Sequence, residues 1–325
     1  MTAEVIPPDE AVRPGPPSPP AIRGMTRRAA RWRRHGTSLL MMAPFAALFV
    51  VFVIYPLGRS LYLSFTNYRG IKPPVWIGLE NYTSLLEDER FRKAVVNTFL
   101  YVAGTVTLTT ALALCVALAF RGQSWRHRTV RVLFFLPSVT SAIALNLIWK
   151  WIFSPEDYGF ANQVVGVFGV ERVEWLSTPP LAVPVLIFMG VWGGIGYGMV
   201  IFVAGLNAIP EEYYESARMD GATSWQQFRK ITLPLLRPVT AYVVITGLIG
   251  AFQIFEAVFI IFFRSAGVIG GLHDSALMIV PYLYDQGFGH FYLGRASAIA
   301  WVLLIIIFVI SMIHLRITKA NRDLT

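Results

Sequence analysis

Six long apolar stretches alternate with polar connections along this chain: Ser38 to Leu57, Asn97 to Phe120, Val132 to Phe153, Leu181 to Leu206, Val239 to Phe263, and Ala298 to Leu315. About 20 helical residues cross roughly 30 Å of hydrocarbon, so each stretch is long enough to span a bilayer. The pattern predicts an all-α polytopic membrane protein with six transmembrane helices. Composition agrees: 55% of residues are hydrophobic and only 14% charged, proportions foreign to a soluble globule.

One polar connection has more internal order than a tether needs. Between Ala208 and Pro238, Pro210 suits a first helical position, and Glu211, Glu212 and Glu215 occupy the opening turns, where the helix dipole favours negative charge. Asp220-Gly221 ends that helix, because glycine takes the left-handed cap conformation readily. Thr223 or Ser224 can then cap a second short helix through Phe228, with Pro234 and Pro238 stopping it and restarting the chain as the next span. A helix-turn-helix with Ala217 beside the turn reads as a docking element rather than a capped surface loop.

Charge sets the expected orientation. With both termini inside, the cytoplasmic side receives Arg13, Arg23, Arg27, Arg28, Arg31, Arg33, Arg34, Arg121, Arg126, Arg128, Arg131, Arg218, Arg229, Lys230, Arg237, Arg316, Lys319 and Arg322, the majority of the 28 Lys and Arg. That is a positive-inside bias, and it puts the 208–238 loop in the cytoplasm. The net charge of +9 follows from this bias and from contact with anionic lipid, which leaves nucleic acid a poor explanation. The proline-rich start, from Pro7 to Pro20, cannot bury a core and is expected to be an extended tail. The late, full-length first apolar run lacks a following small-residue cleavage site and is expected to stay as an anchor. Domain organisation reads as a cytoplasmic tail over 1–35, a first helix and external segment over 36–93, a helical membrane core over 94–316 and a tail over 317–325.

Few residues carry enzyme chemistry. No glycine-rich loop ends in Lys-Ser or Lys-Thr, the five His lack metal-ligand spacing, and Cys115 is alone inside a span. Polar groups within spans are costly to bury, so Asn146, Gln253 and Glu256 are expected to face a protein interior or water-filled path. Trp149, Trp151 and Trp192 could stack on a ligand, although Trp149 and Trp151 also suit an interfacial aromatic belt. Lys150 is expected to snorkel outward. Gly190, Gly194 and Gly198 form a small-residue stripe on the fourth span, suited to close helix packing or to an interface with another membrane subunit.

Glu215-Ser216-Ala217, Asp220-Gly221-Ala222 and Ile231-x-Leu233-Pro234 together resemble the EAA loop of permease subunits in binding-protein-dependent ABC importers. Gly78-Leu79-Glu80-Asn81-Tyr82, Asn97-Thr98 and Phe135-Leu136-Pro137 resemble its carbohydrate-uptake branch, similar to maltose and glycerol-3-phosphate permeases. The resemblance covers about Ser38 to Leu315. It implies a type I importer permease fold in the cell membrane, paired with a second permease, two cytoplasmic ATPase subunits that hold ATP and Mg, and an external solute-binding protein. The outward segments 59–94 and 154–180, the latter with Trp175-Leu176, offer that protein a landing surface.

On this resemblance, Glu215, Ser216, Ala217, Asp220, Gly221, Ala222, Ile231, Leu233 and Pro234 couple the chain to the ATPase. Glu256, Gln253, Asn146, Trp192 and Trp149 are candidates for the substrate path, no residue is catalytic, and the chain itself binds no cofactor or metal. Two departures stand out: Ser216 occupies a position usually Ala, and the fifth span exits through Phe255-Glu256 and Arg264 to Leu272 rather than an aromatic-Asp pair and a Thr-Gly-Gly-Pro turn. An importer for another solute, such as a glycerol phosphodiester, is a competing reading. So is an ion-driven secondary carrier, but that class requires a midplane acidic cluster and matched repeats, which are missing here.

Overall fold

A computed structural model describes residues 40–122, 124–156, 158–263 and 269–320, with side chains through Thr318. The N-terminal tail, the start of the first span at Ser38, the Arg264 to Val268 stretch and Arg322 lie outside the described residues. Among those residues the chain is helical, and the extended pairing is one isolated antiparallel bridge, Thr66 to Trp76. Two units are distinguished, Met1–Leu57 and Gly58–Thr325.

Helix α1, Leu40–Ser64, contains the first span. It runs past the expected end at Leu57; a π turn, Val50–Ile54, lies just ahead of Pro56, whose missing N–H leaves one helical carbonyl without its usual donor. Helix α2, Glu80–Glu87, lies outside the spans, and Asn81 fastens it by donating to the carbonyls of Ser64 at 2.8 Å and Thr66 at 2.9 Å. Helix α3, Glu89–Ala119, starts well before the expected Asn97, because the Asp88 carboxylate caps it by accepting from the backbone of Arg90 and Phe91.

The third span is not the single helix expected over Val132 to Phe153. Helix α4, Trp125–Val139, and helix α5, Ala142–Ile152, meet at a 97° bend. Pro137 removes one helical hydrogen bond just before the break, and Thr140 turns extended. Side chains then serve the freed carbonyls: Ser138 donates to Phe135 at 2.6 Å and Thr140 to Leu136 at 2.8 Å. The following loop holds helix α6, Phe160–Val167, pinned by Asn162, whose amide accepts from the Trp175 indole at 3.0 Å.

Helix α7, Pro179–Asn207, is the most enclosed of the long helices. After the connection described below, helix α10, Arg237–Phe252, and helix α11, Glu256–Phe262, share the fifth span. Residues 253–255 interrupt it, where one continuous stretch was expected. Helix α12, Ile279–Tyr284, precedes the last helix, α13, Leu293–Ala320. One buried cluster joins Leu186, Phe252, Val258, Met278, Tyr282 and Ile299; another joins Met199, Phe202, Leu206, Tyr214 and Leu236 at the loop end of the bundle.

The glycine stripe packs against α3. A β-carbon at Gly190 would stand 2.5 Å from the Tyr101 hydroxyl and 3.0 Å from Thr105, at Gly194 3.0 Å from Thr109, and at Gly198 2.9 Å from Ala113. Tyr101, Thr105, Thr109 and Ala113 recur every four residues along α3, so two complementary ridges lie in contact.

Candidate functional site

The connection between α7 and α10 is a built element. Helix α8, Glu211–Met219, has Pro210 at its cap in an extended conformation, rather than inside the first turn as expected. Gly221 closes it at φ +75°, with Ala222 N–H returning to the Ala217 carbonyl at 2.9 Å. Thr223 opens helix α9, Ser224–Gln227, through a reciprocal box: its hydroxyl accepts from Gln226 N–H, while the Gln226 side chain accepts from Thr223 N–H at 2.8 Å. The helix does not stop near Phe228. It passes through a π turn, Phe228–Thr232, into Leu233–Leu235, and Pro234 sits in the first turn of that last piece, where its missing donor is harmless.

What holds this element is a residue absent from the motif. The Tyr214 ring is buried on Leu206 and Leu236, its hydroxyl 3.0 Å from the buried Thr232 hydroxyl. Arg121, just beyond α3, stacks on the same ring at 5.3 Å and reaches Glu211 at 3.8 Å. One face of α8 is therefore fixed to the ends of the spanning helices. The opposite surface is free: Glu215, Ser216, Asp220, Gly221 and Leu233 are exposed, and Ala217, Ala222, Ile231 and Pro234 are half-buried. Among them stand Met219 at 85% and Trp225 at 66% exposure, large apolar side chains presented outward. An aromatic inside an acidic helix, three residues before Ala217, was the available sequence signal for Tyr214.

The proposed path residues fall into two groups. Asn146, Trp149 and Trp192 line one cavity of about 240 Å³. Trp149 is already engaged there, edge-on to Trp192 at 5.2 Å and stacked on Phe153 at 5.6 Å. Gln253 and Glu256 do not join them: both are exposed at the break between α10 and α11. Lys150 is exposed, and its ammonium donates to the Ile260 carbonyl at 3.1 Å.

A second cavity, of about 260 Å³, opens between α3, α7 and α10 at the glycine stripe. Its walls carry hydroxyls from Tyr101, Thr105, Thr109, Thr110, Tyr197 and Thr246, and none of its lining residues is charged. The Thr109 hydroxyl is buried without a protein partner. Sequence reading missed this site because threonines at four-residue spacing on an apolar helix look like ordinary packing.

At the other end of the bundle from the connection, charges interlock. Arg90 makes a bidentate pair with Asp274 at 2.9 and 3.0 Å and reaches the buried Asp285 at 3.2 Å. Asp88 accepts from both Arg295 and Tyr282. Burial, then this bond to Asp88, push the Tyr282 hydroxyl well above its ordinary range. Asn97 donates to the carbonyls of Asp274, Ser275 and Leu277, and Thr98 accepts from Ile279 N–H at 3.0 Å. That clamp holds His273 and Asp274 in left-handed conformations, φ 53° and 57°.

The chain has relatives along most of its length. It is 37% identical over 275 residues to the probable ABC transporter permease protein YesP of Bacillus subtilis, covering 84% of this chain and 87% of that one. To the arabinooligosaccharides transport system permease protein AraP of the same organism it is 32% identical, covering 93% and 95%. The lactose transport system permease protein LacF of Rhizobium radiobacter is 31% identical, covering 85% and 91%. In fold it is similar to a chain in a crystal structure of a bacterial ABC transporter involved in import of the acidic polysaccharide alginate, with a TM-score of 0.78, 22% identity, and coverage of 91% and 99%. Residues 109–322 match the family model of binding-protein-dependent transport system inner membrane components. The chain is a multi-pass membrane protein belonging to the family of binding-protein-dependent transport system inner membrane components.

Proposed function

We propose that this chain is the membrane-spanning subunit of an ATP-driven importer and that it carries a neutral carbohydrate, delivered by an external binding protein, through the hydroxyl-lined cavity between α3, α7 and α10. The uncharged, hydroxyl-rich lining carries this reading. A charged solute there would be buried without a counter-charge, whereas sugar hydroxyls exchange hydrogen bonds with Thr110, Tyr197 and Thr246. The relatives named for arabinooligosaccharides and lactose support the same class. About 260 Å³ is small for a complete ligand site, which typically spans roughly 300–1,000 Å³. Tyr197 on its rim is exposed, and a second permease completes the enclosure.

The free surface of α8 and α9, with Glu215, Ser216, Ala217, Asp220, Gly221 and Ala222, docks in a groove of a cytoplasmic ATPase subunit, where ATP and Mg are held. Ile231, Leu233 and Pro234 form the joint to α10. Closure of the ATPase pair then pulls on α3, α7 and α10 together through the Tyr214 anchor. Both termini and this connection lie in the cytoplasm, in keeping with the distribution of arginine.

Proteoliposomes holding the chain with its partner permease and ATPase, supplied with binding protein and labelled neutral oligosaccharides, test the proposal. Uptake that requires ATP and weakens when Tyr197→Phe is introduced supports it. Uptake driven by an ion gradient without ATP, or a Tyr197→Phe variant with unchanged apparent affinity for every transported sugar, overturns it.

A further inference from the structure

A third cavity, of about 390 Å³, lies where the connection meets the ends of two spanning helices, and the transport reading makes no use of it. The start of α10 supplies Arg237 and Thr240, the π turn supplies Arg229, and the last turns of α13 supply His314. Among the described residues, none that lines it is acidic. The His314 Nε2 atom is buried with no protein partner. Leu233 and Ile317 line the same cavity and are 37% and 58% exposed, so an apolar wall continues from the basic floor toward the lipid-facing side of the chain.

We propose that this cavity binds the phosphodiester headgroup of an anionic phospholipid from the leaflet on the side of the connection. Depth supports a lipid. Arg237 begins one apolar span and Arg316 lies near the end of another, so the cavity sits at the level where hydrocarbon gives way to headgroups. Chemistry supports the phosphate. Two guanidiniums carry planar forks suited to phosphate oxygens, the unsatisfied imidazole nitrogen supplies a further polar contact, and Thr240 offers a hydroxyl. A free phosphate would use the same floor but gain nothing from Leu233 and Ile317, against which the glycerol backbone and first acyl carbons can lie. Basic pockets between spanning helices at the cytoplasmic face recognise anionic headgroups for these reasons.

The test uses the detergent-purified full chain and native mass spectrometry, titrating phosphatidylglycerol and phosphatidylcholine with identical acyl chains. Phosphatidylglycerol should bind the wild type roughly tenfold more tightly or better. The paired Arg229→Gln and Arg237→Gln variant should bind both lipids alike, while the corresponding Lys pair keeps the preference. If the Gln pair does not assemble, Arg229→Gln alone, at an exposed position, should still reduce it. Equal binding of the two lipids by the wild type overturns the proposal, as does a preference that survives loss of the arginines. Displacement of phosphatidylglycerol by inorganic phosphate at equal concentration also overturns it, because the cavity would then be a free-anion site. None of these outcomes bears on whether the chain carries sugar.

Discussion

Tyr214 is expected to decide whether ATPase motion reaches the membrane. Its ring is 7% exposed and its hydroxyl meets Thr232, itself 4% exposed, at 3.0 Å. Truncation to Ala removes a buried aromatic, for which losses of about 3–5 kcal/mol are typical. Since about 1.4 kcal/mol is tenfold in an equilibrium, α8 should detach from its seat roughly 100- to 4,000-fold more often. Tyr214→Phe keeps the ring but strands the Thr232 hydroxyl, an effect of about 1–3 kcal/mol. Adding Thr232→Val removes the stranded group and should return most of that loss. Hydrogen exchange at residues 211–219 reads the detachment, and substrate-stimulated ATP hydrolysis in the assembled transporter reads coupling. Stimulation should fall in the order wild type, the Phe/Val pair, Phe, Ala. Wild-type exchange in Tyr214→Ala would refute the anchoring argument, and wild-type stimulation beside a loosened helix would refute rigid coupling.

Thr109→Val should raise the melting temperature of the purified chain slightly, by removing an unpartnered buried hydroxyl. Gly196→Ala should prevent accumulation of folded protein in membranes, because its β-carbon would stand 2.1 Å from the Phe134 carbonyl oxygen, a backbone atom that cannot step aside. Gly221→Val should insert normally yet abolish stimulated ATPase activity: space is open there, but φ +75° opposes a β-branched residue, with a penalty of about 1–2 kcal/mol or more on the turn. The raised Tyr282 hydroxyl stays protonated in the folded chain while its unfolded counterpart titrates near a pH of about 10. Its contribution is therefore complete below that pH and lost as pH rises toward the folded value, so Tyr282→Phe should flatten the alkaline decline in melting temperature.

The spans were legible because twenty apolar residues leave few alternatives, and the helix-turn-helix of the connection because Gly221 and Thr223 act through local rules that tertiary contacts reinforce. The places where reading failed were decided at longer range. The bend after Pro137 depends on Ser138 and Thr140 serving carbonyls that a straight helix would have satisfied, and on α7 offering Gly196 to the α4 backbone. Gln253 and Glu256 stay within the fifth span, Arg237–Phe262, but the interruption at residues 253–255 leaves both exposed rather than beside Asn146 and Trp192. The hydroxyl cavity needs three helices at once, and no single stretch of sequence announces it. Tyr214 was passed over because its partner, Thr232, is remote in sequence and reached only after the turn closes.

The bent third span also constrains how the chain is made. Helix α4 carries Arg126, Arg128 and Arg131 near its start, and α5 has only the eleven residues Ala142–Ile152. Neither half is a good passenger for the insertion machinery: α4 opens with three arginines, and eleven helical residues reach only about 16 Å, well short of the roughly 30 Å of hydrocarbon. The seat for α4 is on α7, at Gly196, which is synthesised later. The third span must therefore wait, at the translocon or at the membrane surface, until the fourth emerges, and the two enter their final positions as a hairpin. Ribosome-bound chains truncated before Pro179 should accordingly leave residues 125–152 accessible to aqueous labelling reagents, and chains extended past Asn207 should protect them.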